Sequence, residues 1–136
     1  MDIHEYQAKA LLADFGVPIP PGGLAYSPEQ AQYRASEIGG DQWVVKAQVH
    51  TGGRGKAGGI RVCRSEQEVW TAADEMLGSR LVTNQTGPRG RGVYRLYIES
   101  VADIDREIYL GFVLDRATER VMLVASAAGG MEIEQI

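Results

Sequence analysis

Residues Trp43–Cys63 read WVVKAQVHTGGRGKAGGIRVC, and their reading decides the fold. Apolar residues alternate up to Val49. Five glycines (Gly52, Gly53, Gly55, Gly58, Gly59) then fall within residues 52–59, and alternation resumes to Cys63. The pattern predicts a strand, a glycine-rich basic loop and a second strand. On the first strand Trp43, Val45, Ala47 and Val49 share one face, while Val44, Lys46 and Gln48 share the other. The chain has three lysines, and Lys46 and Lys56 both sit here. A lysine between valines on a half-buried strand needs an anionic partner. Glycine permits φ > 0 and close backbone approach, so the loop N–H groups can wrap a phosphate chain. The expectation is a nucleotide-phosphate clamp. The alternative is a surface hairpin with a salt-bridged lysine.

Gly53–Gly58 fits G-x-G-x-x-G, but a dinucleotide fingerprint needs a helix directly after the loop, and Gly59-Ile60-Arg61-Val62-Cys63 reads as a strand. A P-loop needs G-x-x-x-x-G-K-[ST], which is absent. What remains is a hairpin whose tip covers phosphates from above, in the manner of kinase glycine loops.

Working outward, Ile3–Phe15 predicts a helix with Ile3, Ala8, Leu11, Leu12 and Phe15 on one broad apolar face and Gly16 as its cap. Three prolines make residues 17–23 an extended connector. Leu24–Tyr26 reads as a strand, Ser27-Pro28 opens a helix with Gln30 as capping partner, and Gly39-Gly40 ends it. Ser65-Glu66-Gln67-Glu68 opens another helix, with Val69, Ala72, Ala73, Met76 and Leu77 inward. Val93–Glu99 reads as the next strand. The order is β-α-β-β-α-β, a split unit with helices on one face. Ile108–Leu114 and Arg120–Ala127 then predict a hairpin around the polar turn 115–119, and Met131–Ile136 the start of a further element. Two apolar strands with nothing to cover them read as an unfinished sheet, so the chain is expected to be the front part of a larger protein or to need a partner, such as a strand-paired second copy.

The chain of 136 residues has room for one ordinary domain. Its net charge of −4 argues against bulk nucleic-acid binding. Cys63 is the sole cysteine, so no internal disulfide forms and thiolate metal ligation is not expected. The N-terminus carries acids early and lacks a long apolar run, which points to the cytoplasm and away from a membrane.

Several motifs in order carry a resemblance: HEYQAK (4–9), WVVKAQVHTGGRGKAGG (43–59), LVTNQTGP (81–88), YIE (97–99), REIYLGFVLDR (106–116) and the GGMEIE end (129–134). Through them the chain resembles the N-terminal part of the β subunits of ADP-forming succinate–CoA ligases and their malate–CoA ligase sisters. The segment 26–40 and the uninterrupted GRGKAGG are at least as similar to the sister. The resemblance implies an α+β ATP-grasp fold: residues 20–103 as the lid subdomain, with residues 1–19 and 104–136 as pieces of the larger one. It implies Lys46, Gly53, Arg54 and Gly55 at the nucleotide phosphates, and Glu99, Ala102 and Glu107 at the adenine and ribose. Read without it, Glu99 and Glu107 are strand-end salt bridges to Arg95 or Arg106. It implies ATP/ADP with Mg²⁺ (metal ligands beyond residue 136), CoA, a dicarboxylate, and a partner α subunit that carries the phosphorylated histidine. Neither His4 nor His50 is assigned that role, no catalytic residue is expected in this stretch, and the 136 residues alone are expected to be inactive as a ligase.

Overall fold

The structure, a computed structural model, describes residues 2–130. They form two compact units that divide after Ala102.

The first unit is built on a four-stranded antiparallel sheet in the order β1-β6-β2-β3. β2 is Trp43–Ala47 and β3 is Ile60–Cys63, paired as the hairpin that the glycine loop closes. β6 (Leu96–Ser100) inserts between β2 and β1 (Gly22–Ala25). The alternation predicted for β2 is met: Trp43, Val45 and Ala47 are buried, Val44 and Lys46 only partly. β6 begins three residues later than the pattern suggests, because the backbone of Val93 bonds Gly78 and Ser79 instead. Just beside it Arg80–Leu81 and Arg91–Gly92 pair as a two-residue ribbon, β4 and β5.

Two helices cover one face. α2 (Pro28–Ile38) starts at Ser27, whose hydroxyl accepts from the Gln30 N–H at 3.1 Å, and α3 (Glu66–Met76) starts at Ser65, which caps Glu68 in the same way. Each such cap contributes about 1 kcal/mol. α2 buries only Ala31 and Ala35, so it lies close to the sheet; α3 buries Val69, Ala72, Ala73 and Met76. The core closes on Val45, Val93, Leu96 and Ile98, each at most 1% exposed. Burying side chains of this size stabilises by roughly 1.5–3 kcal/mol apiece.

α1 (Glu5–Asp14) departs from expectation. No residue of it is buried, and Leu11, Leu12 and Phe15 on the predicted apolar face are 48–86% exposed. It meets the sheet instead through Glu5 and Lys9, which pair with Lys46 and Glu99 on the face that α2 and α3 leave open. The ionic groups on that sheet face, not the apolar stripe of the helix, set its orientation.

The second unit is the predicted hairpin: β7 (Tyr109–Asp115) pairs with β8 (Arg120–Ser126) in register. Asp115 sets the turn by accepting from the Ala117 N–H and the Thr118 hydroxyl, and Glu119 takes a positive φ of 54°. Phe112 and Val121 remain at least 70% exposed. The element expected over Met131–Ile136 lies outside the described residues. Among the described residues, no helix is long and apolar enough to cross a membrane.

Candidate functional site

The register of the sheet assembles the site. Val44 stands opposite Glu99 and Lys46 opposite Tyr97, so Lys46 and Glu99 are diagonal neighbours on one face. Lys46 Nζ donates to Glu99 Oε1 at 3.3 Å and to Glu5 Oε1 at 2.9 Å. Arg54 reaches back from the glycine loop. One guanidinium nitrogen donates to the carbonyl of Ala47 at 2.8 Å and another to Glu5 Oε2. Lys9 completes the cluster by pairing with both Glu5 and Glu99, and its ammonium lies 5.6 Å from the centre of the Tyr97 ring. These five ionic side chains are 7–19% exposed, three cations against two carboxylates.

The electrostatics follow from that count. Burial pushes the Glu5 carboxyl up, but the hydrogen bond from Lys46, the charge and hydrogen bond of Arg54 and the charge of Lys46 outweigh it. Together they bring its pKa down to about 2. Lys9 is pulled down by burial yet ends above the ordinary lysine value because Glu99 and Glu5 hold its charge. Burial, then the charges of Glu99 and Glu5, raise the Tyr97 phenol.

The loop is tied down rather than loose. Its glycines fold it on itself through the Gly59 N–H to Arg54 carbonyl bond at 2.8 Å, and Gly53 and Gly58 take φ of 71° and 81°. From outside, the Thr83 hydroxyl meets that of Thr51 at 2.7 Å, and Gln85 accepts from the Gly52 N–H at 2.9 Å. At Gly59 a Cβ would lie 2.9 Å from Leu81. Glu5 and Arg54 line one wall of a cavity of about 410 Å³, with His50, Thr51 and Gly52 around it.

Of the residues singled out from sequence, Lys46, Arg54 and Glu99 are brought together, and Gly53 and Gly55 flank Arg54 in the loop. The partners suggested for Glu99 were Arg95 or Arg106; it pairs with Lys46 and Lys9 instead. Ala102 is exposed at the end of the first unit. Glu107 is exposed in the second, where its carbonyl accepts from the Gly129 N–H. His50 stacks on His4 with ring centres 3.9 Å apart. Sequence reasoning missed Glu5 and Lys9. Their i, i+4 spacing on α1 was legible, but nothing local says that this edge of the helix docks on Lys46.

The sequence matches the family described as an ATP-grasp domain over residues 2–136. It is 68% identical over 136 residues to the "Probable malate--CoA ligase subunit beta" of Mesorhizobium japonicum. It is 56% identical to the succinate–CoA ligase [ADP-forming] subunit beta of Parvibaculum lavamentivorans. Each match takes in the whole chain but only 34% and 35% of those relatives, so the chain spans about a third of their length. Among solved structures, the dinucleotide-forming acetyl-coenzyme A synthetase 1 of Ca. Korarchaeum cryptofilum, in complex with coenzyme A and Ca-AMPCP, superposes with a TM-score of 0.72 at 25% identity, over 91% of this chain and 53% of that one. The ATP citrate lyase of Methanothrix soehngenii has the same fold over 96% of this chain and 33% of its own, with a TM-score of 0.72 at 22% identity.

Proposed function

The chain belongs to the ATP-grasp domain family, and from that premise we propose that it is the nucleotide-binding front part of the β subunit of an ADP-forming dicarboxylate–CoA ligase. The parent reaction joins succinate and CoA at the expense of ATP, giving succinyl-CoA, ADP and phosphate through a phosphohistidine on an α subunit. In this reading ATP, CoA, the dicarboxylate and the α subunit are the partners and the cytoplasm the location.

One observation carries the role of these residues. Lys46 and Arg54 converge on a single oxyanion, the carboxylate of Glu5. A phosphate oxygen presents the same charge and the same lone pairs, so a nucleotide arriving here exchanges with Glu5 for both cations. Two fixed positive charges facing a phosphoryl group also oppose the negative charge that develops as it transfers. Gly53 and Gly55 let the loop backbone approach the phosphates. Glu99, Ala102 and Glu107 are assigned to the adenine and ribose, Ala102 through its backbone alone. Residues 20–103 are the lid, residues 1–19 and 104–136 pieces of the larger subdomain.

Mg²⁺ belongs to the reaction as proposed, but among the described residues no group of three His, Cys, Asp or Glu side chains could hold a metal. The metal ligands are expected beyond residue 136, and the roles above are those of the chain's own cations. The dicarboxylate has a second reading: identity of 68% to a malate–CoA ligase relative, against 56% to a succinate one, favours malate.

Calorimetric titration of the chain with ATP, with and without Mg²⁺, tests the clamp. Saturable binding that disappears in Lys46→Ala is expected. Binding indifferent to Lys46→Ala would refute the assignment.

A further inference from the structure

A second cavity, of about 530 Å³, shares Val49 and His50 with the first but is not lined by Lys46 or Arg54. Its wall carries Arg80, Arg91, Arg95, His4 and His50 and no carboxylate, in a chain whose net charge is −4. Among the described residues none of the three arginines forms an ion pair, whereas Lys9, Lys46 and Arg54 nearby all do. Arg80 is spent on structure, donating to the carbonyls of Arg89 at 2.7 Å and Gly90 at 3.1 Å. The side chain of Arg91 has no partner among the described residues. Half-buried Arg95 has only a long contact, 3.4 Å, to the Tyr6 hydroxyl.

Half-buried Arg95 is a partly desolvated guanidinium without a counter-charge, which is costly, and exposed Arg91 stands open on the same wall. His4 Nδ1 is buried and has no hydrogen-bond partner. Burial, then the positive surroundings of His50, Arg95 and Arg54, hold the His4 pKa below its ordinary value.

We propose that this cavity is an anion site separate from the nucleotide clamp, and that it takes a phosphate dianion, free or carried on a larger molecule. The donors distinguish phosphate from carboxylate. A carboxylate offers two coplanar oxygens, whereas a phosphate offers three or more in a tetrahedral arrangement. Two open guanidinium groups beside a stacked pair of imidazoles suit a group with oxygens pointing several ways.

Calorimetry of the 136-residue chain with inorganic phosphate, and in parallel with succinate, tests this. Saturable phosphate binding is expected in the unmodified chain and in Lys46→Ala. It is expected to weaken about tenfold or more in Arg91→Gln/Arg95→Gln, since a charge-assisted hydrogen bond is worth at least that factor. Far-UV circular dichroism checks the double variant; if it is unfolded, Arg91→Gln alone, which removes no contact, must still weaken binding. Absent saturation, or binding lost in Lys46→Ala and intact in the arginine variants, overturns the proposal. Succinate binding as tightly through the same arginines overturns the assignment to phosphate. ATP titration of the same variants reads the clamp independently: it survives the arginine changes whether or not the second site exists.

Discussion

Replacing Glu5 by Gln removes the charge that Lys46 and Arg54 share, and the consequences for stability and for nucleotide affinity have opposite signs. The Glu5 carboxyl sits at about 2, against an ordinary value of 4.5. At about 1.4 kcal/mol per unit, that depression corresponds to at most roughly 3 kcal/mol of native-state stabilisation. The side chain keeps 19% exposure and its partners reach water, so screening reduces this to about 1–2 kcal/mol. A lowered carboxylate pKa stabilises fully above the unfolded value and is lost as pH falls. The loss therefore runs from about pH 4.5 down to about 2. Urea denaturation followed by circular dichroism is expected to show the native chain losing most of that amount between pH 6 and pH 2.5. Glu5→Gln is expected to begin less stable and to lose less over the same range. In ATP titration the variant is expected to bind about five- to tenfold more tightly, since the phosphates no longer displace a carboxylate bonded to two cations. Folded Glu5→Gln protein with unchanged or weaker ATP affinity would refute the exchange argument, and would mean that Glu5 positions the cations instead of competing for them.

Leu96 is fully buried at the centre of the first unit, so Leu96→Ala is expected to destabilise by about 2–5 kcal/mol in denaturant melts. Gly59→Ala drives a methyl to within 2.9 Å of Leu81 and 3.2 Å of the Arg54 carbonyl. About 1–3 kcal/mol of destabilisation and weaker ATP binding are expected, because the strain falls on the backbone that aims Arg54. Phe112 is 73% exposed on an uncovered hairpin. Light scattering of the chain is expected to show concentration-dependent association that Phe112→Lys reduces, whereas identical behaviour of the two would show that this face does not pair.

Much of the first unit was legible because its signals are local. Serine caps, positive-φ glycines and alternation in Trp43–Ala47 each depend on a few neighbouring residues, and these elements form as read. The start of β6 was not legible: whether Val93 extends a strand depends on Gly78 and Ser79, which the fold brings to it.

The same division runs through the site. By itself the sequence determined that Lys46 faces away from the core and that a glycine loop carries Arg54 next to it, since side-chain alternation and glycine conformation are properties of the strand and the loop. Tertiary structure alone decided what the two cations hold. Glu5 lies 41 residues from Lys46 and 49 from Arg54, and Glu99 a further 53 beyond Lys46. Such pairing has no local signature. It arises when β6 inserts beside β2 and α1 settles on the charged face, where leaving Lys46 and Arg54 without a counter-charge would cost more than leaving Leu11, Leu12 and Phe15 in water.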